Sequence, residues 1–278
     1  MKKIIGSLFL LSLQTMLLAQ AVTFMSYNIR YDTDRDSLDA WTNRKVFLRN
    51  QVQFYQPDIM GTQEGLKHQL DYLQAGLVGY EYKGVGRDNG QTKGEYTAIF
   101  YNKAKFRLLE EGTFWLSPTP DTVGLGWDAV CNRTCTYLLL EHQQNHQKYW
   151  VFNTHFDHRG KVARKNAAQL ILKKIQQLNT ANHPVILMGD FNVEPTDPVY
   201  TILTNGLADT KKVSQISPFG NEGTFNGFKF HQPLTRRIDY IFADTNQVKV
   251  LKYATLSDSK DCRYPSDHLP VFVAVSLK

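Results

Sequence analysis

The chain has 278 residues, of which 42% are hydrophobic, 21% charged and 12% aromatic; this composition excludes a disordered, collagen-like or coiled-coil protein. The net charge of +6 comes from 32 lysines and arginines against 26 acidic residues, a surplus too small to indicate nucleic-acid binding. Three cysteines are too few for a disulfide framework or a zinc ribbon.

Residues 1–21 have the pattern of a secretory signal peptide. Two lysines precede an apolar run that extends to Ala19, and Ala19-Gln20-Ala21 has the small-x-small pattern of a cleavage site. We expect cleavage after Ala19 or Ala21, which leaves residues 22–278 as one exported, soluble and monomeric domain in the periplasm or the medium. A membrane anchor is less favoured because the apolar run is short and contains polar residues, and no later segment is long and apolar enough to span a bilayer.

The first half of the chain combines short strands with two helices. The predicted elements are, in order, the strand Val22–Ile29, the helix Asn43–Tyr55, the strand Asp58–Thr62, the helix Leu66–Gly76, and the strands Tyr80–Val85, Glu95–Tyr101 and Phe106–Leu116. A loop with two prolines and two glycines, Ser117–Asp128, follows.

The second half contains the clearest helix, Lys161–Leu178, which has an apolar face. The other predicted elements are the strands Thr134–Glu141, Tyr149–Phe156, Val185–Met188, Arg237–Phe242, Val248–Ser257 and Leu269–Ser276. Because no linker or repeat is present, these elements indicate one α+β or layered α/β domain, and two packed sheets with helices outside would suit them.

The cysteines are not expected to pair. Cys131 and Cys135 are four residues apart at the start of a predicted strand, too far apart to bridge, and Cys262 is distant in sequence. We expect free, mostly buried thiols with no catalytic role.

Six ends of predicted strands carry polar residues that a buried strand does not need. These residues are Asn28, Glu64, His155, Asp190 with Asn192, Asp239, and Asp267 with His268. A single terminal Asn or Asp is usually a turn residue or a helix cap. Six such ends indicate instead a ligand site, because ligands of layered sheets collect beyond the strand ends.

The motifs around these residues resemble those of the endonuclease/exonuclease/phosphatase superfamily. In chain order they are SYNIR at Asn28, TQEG at Glu64, NTHFD at His155, GDFN at Asp190, RIDYIF at Asp239 and SDHLPV at Asp267. The resemblance covers essentially all of residues 22–277. It implies a catalytic domain with a four-layered α/β sandwich fold, in which two packed, mainly antiparallel sheets are flanked by helices. The implied chemistry is Mg²⁺-dependent hydrolysis of phosphoester bonds.

The resemblance also implies a metal site. Glu64 is the first-choice ligand, because Mg²⁺ takes hard oxygen ligands and usually few of them from protein. Asn28 offers an amide oxygen to the same ion, Asp267 joins through water, and Mn²⁺ is an expected substitute. Each residue also has a simpler interpretation: Asn28 can cap a turn, and Glu64 can be the first-turn acid of the next helix.

The remaining strand-end residues fit the hydrolysis itself. Asp190 would align or deprotonate the attacking water, Asn192 would hold a phosphate oxygen, and His268 would donate to a nonbridging oxygen. By family analogy Asp239 fixes the ring of His268, and His155 supplies a second imidazole to the phosphate or the leaving group. Asp239 is the hardest of these to explain otherwise, because a buried carboxylate must be paired.

Five further residues are candidate substrate contacts. Arg133, His158 and Arg164 can bind a second phosphate or a carboxylate, although Arg164 can also be a simple helix-face charge. Tyr96 either positions substrate or is an ordinary strand aromatic. Trp127 either stacks on a base or sugar or anchors its loop.

Departures from known subfamilies narrow the substrate. The signature of inositol polyphosphate phosphatases is missing, and Arg30 stands where abasic-site endonucleases carry an acid, which argues against a second metal ligand there. No basic run with interleaved aromatics is present, so no stable binding of duplex DNA is expected. We expect an exported Mg²⁺-dependent phosphodiesterase or phosphatase, including a nuclease, that acts on a small molecule or a short nucleic acid. The alternative is a catalytically inactive module that binds a phosphate ligand.

Overall fold

The computed structural model describes residues 21–278, so the predicted signal peptide, apart from Ala21, lies outside the described residues. The strands are β1 (Val22–Asn28), β2 (Ile59–Gln63), β3 (Tyr80–Lys83), β4 (Ile99–Asn102), β5 (Phe106–Trp115), β6 (Thr134–His142), β7 (Lys148–His155), β8 (Val185–Asp190), β9 (Ala208–Asp209), β10 (Phe219–Gly220), β11 (Asp239–Ala243), β12 (Val248–Thr255) and β13 (Val271–Leu277). The helices are α1 (Trp41–Tyr55), α2 (Lys67–Gly76), α3 (Lys161–Leu178), α4 (Pro198–Thr204) and α5 (Thr210–Val213), with a 3₁₀ helix at Asp34–Asp39.

The strands form two sheets. The first has the order β10-β12-β13-β1-β2-β4-β3 and the second has the order β5-β6-β7-β8-β11-β9. Within residues 21–278, eight of the eleven neighbouring strand pairs are antiparallel; β1 with β2, β7 with β8, and β10 with β12 are parallel. The prediction of two mainly antiparallel sheets is therefore confirmed.

Three apolar interfaces separate four layers. Alternate residues of a strand point to opposite faces, so Phe24 of β1 packs between the two sheets while Met25 packs against the first pair of helices, α1 and α2. In the same way Val151 of β7 packs between the sheets and Phe152 packs towards α3 and α4. Because both faces of each sheet are buried, the central strands are mainly apolar, and polar residues gather towards their ends.

Strand direction brings the polar ends of the first sheet together. β1 and β2 are parallel, so Asn28 and the residue after β2, Glu64, lie at the same edge. β13 runs antiparallel to β1. His268, which precedes β13, therefore lies at this edge too.

The second sheet repeats the arrangement. β7 and β8 are parallel and end in the paired residues His155 and Asp190. β11 runs antiparallel to β8, and its first residue, Asp239, pairs with Asp190. All six polar ends thus lie at one edge of the sandwich.

The boundaries differ from the sequence prediction mainly in loops. The predicted strand Glu95–Tyr101 begins only at Ile99, because the preceding residues form a loop whose Tyr96 makes just an isolated bridge with Gly65. Two short helices, α4 and α5, were not predicted; Asp197 and Asp209 cap them through side-chain hydrogen bonds. Within residues 21–278, none of the helices is long and apolar enough to cross a membrane.

The three cysteines are free, as expected. The expectation that they are mostly buried is wrong, because only Cys135 is buried whereas Cys131 is half-buried and Cys262 is exposed. Cys135 points into the apolar layer beneath α3, and Cys262 lies in the loop that precedes β13.

A buried amide ties the two sheets together just below the polar edge. Asn153 of β7 is fully buried, and its Nδ2 donates to the carbonyl oxygens of Thr62 at 2.8 Å and Ala98 at 2.9 Å, both from the first sheet's side. Its Oδ1 accepts from Nε2 of Gln63 at 2.6 Å. Gly61 leaves room for this contact, because a Cβ there would lie 2.7 Å from Asn153 Cγ.

The Asn153→Ala variant should therefore be strongly destabilised. It removes three buried hydrogen bonds between the two sheets, which should lower the free energy of unfolding by roughly 2–4 kcal/mol. Urea titration followed by tryptophan fluorescence measures this change. The control is Gln144→Ala in the exposed β6–β7 turn, which should stay within about 0.5 kcal/mol of wild type. Equal midpoints for the two variants would show that the amide does not join the sheets.

Candidate active site

The side-chain amide of Asn28 lies at the centre of the polar edge. It is fully buried, and its Nδ2 donates to Glu64 Oε1 and to Asp190 Oδ2, each at 3.0 Å. Its Oδ1 accepts the backbone N–H of Arg30 at 3.0 Å. Asn28 thus positions both acids, and the amide-oxygen contact with a metal that the resemblance implies stays a prediction.

Three residues of the site have a left-handed backbone. The φ angles are +56° at Arg30, +65° at Glu64 and +50° at Asn192. Residues other than glycine adopt this region at a cost of about 1 kcal/mol or more, and such strain persists where surrounding contacts hold it. The three strained residues all lie at strand ends. This indicates that contacts within the site, and not local backbone preference, fix the positions of their side chains.

Asp190 is buried at the junction of the two sheets. The preceding Gly189 has a φ of +154°, and a Cβ there would collide with the carbonyl oxygen of Thr154. Asp190 Oδ1 accepts the backbone N–H of Asn192 at 3.0 Å. Burial, followed by the nearby Asp239 carboxylate, raises the pKa of Asp190 to about 7. A carboxyl group with this pKa suits proton exchange with an attacking water at neutral pH.

The His268 ring is held by an acid, as the family analogy implies. Its Nδ1 lies 2.8 Å from Asp239 Oδ2, which also accepts from the Thr224 hydroxyl at 2.6 Å. The Phe225 ring packs edge-on against the imidazole, 5.1 Å between centroids. Burial opposes the charged form, but the carboxylates of Asp239 and Asp190 outweigh it and hold the pKa of His268 well above its usual value. The ring is therefore a charged donor.

The acidic side chains at this edge fit a divalent cation. Asp267 Oδ1 is buried and has no hydrogen-bond partner within residues 21–278. Glu64 Oε2 accepts the Tyr31 backbone N–H at 3.2 Å and faces Arg30 Nη1 at 3.8 Å. Burial raises the pKa of Asp267 to about 6. Glu64 and Asp267 thus have carboxylate oxygens with lone pairs that are free to bind an ion. An oxygen-coordinated ion such as Mg²⁺ requires such oxygens.

His155 lies beside Asp190 and stays neutral. Its Nε2 is 3.4 Å from Asp190 Oδ2, and its Nδ1 is 3.9 Å from Glu95 Oε2. Burial, with further contributions from the charges of Arg133 and Arg87, lowers its pKa well below the usual value. A neutral imidazole can both donate and accept a hydrogen bond, unlike the charged ring of His268.

A cavity of about 580 Å³ opens at this edge. We call one set of residues the catalytic wall. These residues line the cavity or form hydrogen bonds with residues that line it. They are Asn28, Glu64, Asp190, Asn192, Asp239, Asp267 and His268. The opposite side we call the second wall; its residues are Arg87, Glu95, Cys131, Arg133 and His158, and Asp157 lies directly behind it. His155 lies between the two walls.

The structure brings some of the predicted substrate contacts to the cavity and leaves others away from it. Arg133 and His158 line it, with Arg133 Nη2 3.1 Å from His158 Nδ1. Tyr96 does not, since its buried side chain turns away and its hydroxyl donates to Gln91 O. Arg164 lies behind the second wall and donates to the carbonyl oxygen of Asp157. Trp127 is 37% exposed on its loop, outside the cavity lining.

Sequence reasoning missed three residues of the second wall, the half-buried Cys131 and the ion pair of Arg87 and Glu95. Arg87 binds Glu95 through two N–H···O contacts of 2.7 Å each. Both belong to the loop before β4, where no motif or periodicity points to a function. The sequence signal that could have found them is the charge pair itself, within a glycine-rich loop.

The fold and the site define a metal-dependent phosphoric ester hydrolase. Residues 25–268 match the family described as Endonuclease/Exonuclease/phosphatase family. The chain belongs to this family, whose members are metal-dependent phosphoesterases and nucleases.

Solved structures with this fold include bacterial proteins of similar length. An endonuclease/exonuclease/phosphatase family protein from Bacteroides thetaiotaomicron is 38% identical, with a TM-score of 0.89 over 93% of this chain and 98% of that one. A mannosyl-6-phosphatase from the same species is 39% identical, with a TM-score of 0.87 over 91% of this chain and 99% of that one.

Curated relatives are more distant, and each match covers only part of the relative. Nocturnin of Rattus norvegicus is 25% identical over 256 residues, which is 82% of this chain but 57% of Nocturnin. An uncharacterised protein of Acanthamoeba polyphaga mimivirus is 28% identical over 171 residues, 59% of this chain and 63% of that protein. The chain thus spans about six-tenths of the length of these relatives.

The Glu64→Gln variant should bind a divalent cation, with Mg²⁺ as the probe, more weakly than wild type while remaining folded. It keeps the side-chain volume but removes the negative charge, so we expect a loss in affinity on the order of 10–100-fold. Calorimetric titration of the metal-free protein measures this directly, with the exposed Glu110→Gln as a matched control. A titration identical to that of the control would remove Glu64 from the metal site.

The stabilisation that a divalent cation such as Mg²⁺ provides should increase with pH. The pKa values of Asp190 and Asp267 are about 7 and about 6 in the folded protein, above their ordinary values, so folding without metal takes up protons. The stability these protonated groups contribute is lost as pH rises from about 4 to about 7. Metal needs the ionised forms, so the Tm gained with excess Mg²⁺ should be small near pH 5 and large near pH 8. Thermal unfolding across this range, with EDTA as reference, tests it; a constant gain would contradict the assignment.

Proposed function

We propose that this protein is an exported, Mg²⁺-dependent phosphatase that hydrolyses a small sugar phosphate. The observation that carries the proposal is that the catalytic wall faces a single compact cavity of about 580 Å³. A volume of this size suits one phosphorylated sugar unit.

The residues of the catalytic wall supply the steps that such a reaction needs. Mg²⁺ held by Glu64 and Asp267 would supply positive charge to the phosphate oxygens. Asp190 takes a proton from the attacking water or aligns it, and the charged ring of His268 donates to a nonbridging oxygen. Asn192 donates through Nδ2 to the carbonyl oxygen of Phe156 at 3.0 Å, which fixes its side chain at the cavity.

The cations around the cavity favour a small substrate over a nucleic-acid strand. Arg30 is bound to Asp36 by two contacts of 2.9 Å, Arg87 is bound to Glu95, and Arg236 lies 3.5 Å from Glu194. Strand binding relies on cations that are free to neutralise successive phosphates. The similarity to a mannosyl-6-phosphatase over nearly the whole of both chains supports a phosphomonoester of a hexose. We therefore propose a monomer without stable duplex-DNA binding.

Export rests on the sequence of residues 1–21. Their lysines, apolar run and small-x-small site support a cleaved signal peptide and a periplasmic or secreted protein. Amino-terminal sequencing of the protein recovered outside the cytoplasm should begin at Gln20 or Val22.

Hydrolysis assays test the proposed activity. Mannose 6-phosphate and p-nitrophenyl phosphate should be hydrolysed with Mg²⁺ and not with EDTA, and KM should change little with added salt. Bis(p-nitrophenyl) phosphate, single-stranded DNA and duplex DNA should react far more slowly. Rapid cleavage of duplex DNA that falls steeply with salt would overturn the proposal in favour of a nuclease. No turnover of any ester would favour the inactive binding module.

The Asp239→Asn variant serves as the catalytic control in these assays. It removes the carboxylate that keeps His268 charged and oriented, so kcat should fall on the order of 10²–10⁴-fold while KM changes little. The exposed Asp261→Asn should retain wild-type kinetics. A change in KM with normal kcat would show that His268 binds substrate without acting on the transition state.

A further inference from the structure

We propose that the second wall of the cavity is a binding site for the neutral hydroxyl groups of a sugar, and that it selects the alcohol portion of the substrate. This inference rests on the proposed function, since it names the part of the substrate that the catalytic wall leaves unrecognised. The proposal is based on the buried Arg133, which has unpaired N–H groups within the described part of the chain, and on the Glu95 carboxylate on the same wall, which Arg87 holds in place.

Arg133 is prepared to donate hydrogen bonds into the cavity. It is only 5% exposed, and within residues 21–278 its Nη1 and Nε have no hydrogen-bond partner. Nε lies 3.6 Å from Asp157 Oδ2, beyond hydrogen-bond distance, and Nη2 is taken by His158. Buried donors without partners are unfavourable, so an acceptor on a ligand would complete this site.

Glu95 is prepared to accept hydrogen bonds on the same wall. The two contacts from Arg87 fix its carboxylate and leave further lone pairs for donors from the cavity. Glu95 Oε2 lies 3.9 Å from His155 Nδ1, and His155 Nε2 lies 3.4 Å from Asp190. The imidazole ring of His155 therefore separates the Glu95 carboxylate from the catalytic wall. One small ligand can therefore touch both walls.

The charges of the second wall favour a hydroxyl group over a second anion. Arg87 and Arg133 are balanced by Glu95 and by Asp157 behind them. His158 is neutral at neutral pH, because burial and then Arg133 lower its pKa. Burial raises the pKa of Glu95 to about 7 against the opposing effect of Arg87, so the wall is neutral above that pH.

A second phosphate or a carboxylate of the substrate could contact Arg133 only by approaching the negatively charged side chains of Glu95 and Asp157. A hydroxyl group can accept from Arg133 and donate to Glu95 at once, which uses both prepared groups. The neighbouring hydroxyls of a hexose are therefore the chemistry that matches this wall, in preference to the second anion considered from the sequence alone.

The test compares two phosphate monoesters that differ in the alcohol, and it uses the change in their ratio between variants because their leaving groups differ in reactivity. At about pH 8, wild-type kcat/KM should be higher for mannose 6-phosphate than for p-nitrophenyl phosphate, which has no hydroxyl groups. Glu95→Gln and Arg133→Lys should each lower the ratio of these two values on the order of 10–100-fold, the loss expected for a hydrogen bond to a charged group. Glu110→Gln should leave the ratio unchanged.

Substrates that lack single hydroxyls separate direct contact from a general structural role. A deoxyhexose 6-phosphate that lacks the contacting hydroxyl should lose activity with wild type but not further with Glu95→Gln, because the two changes remove one interaction. Losses that simply add for every deoxy position would overturn the proposal. The proposal would also be overturned if kcat/KM for a hexose 1,6-bisphosphate were at least tenfold higher than for the 6-phosphate and this advantage depended on Arg133. The second wall would then bind an anion.

The two proposals fail in different ways. If no monoester is hydrolysed by wild type, the proposed function fails. If both monoesters are hydrolysed with equal kcat/KM and the variants leave the ratio unchanged, the phosphatase assignment holds and only the second wall is wrongly interpreted.

Discussion

The two N–H groups of the Asn28 side chain hold the site together. One binds Glu64 from the first sheet and the other binds Asp190 from the second, so a single buried amide fixes two acids that would otherwise repel each other. Everything else at the edge is arranged around these acids. Arg30 and His268 supply positive charge beside them, and the strand directions of the sandwich bring all of these groups to one place.

This arrangement has an energetic cost that the rest of the fold offsets. The raised pKa values of Asp190 and Asp267 show that the buried acids lack full compensation by the protein alone. The left-handed backbone at Glu64 and Asn192 adds strain at the same edge. Three apolar layers and the buried Asn153 bridge supply stability elsewhere, as is common where a functional site is less than optimally stable.

The sequence predicted the strands and the catalytic wall far better than the second wall. Apolar runs that stop at polar residues define β1, β7 and β8, and each stop is a site residue because both faces of these strands are buried. Glu95 was not foreseen, since it lies in a loop without periodicity and acquires its place only through long-range packing. The alternatives for Tyr96 and Arg164 stayed open for a related reason: spacing along the chain does not give side-chain direction in loops or behind a sheet.

The position of β13 in the first sheet has a consequence for how activity arises. β13 lies between β12 and β1, and Asn28 and His268, 240 residues apart in sequence, meet only when it has been inserted there. A nascent chain that ends before β13 has an open edge on β1, and without this strand its histidine is not held beside Asn28. Because such distant pairing is slow to form, catalysis starts at the last stage of folding, and the first turnover reports that the whole sheet has been assembled.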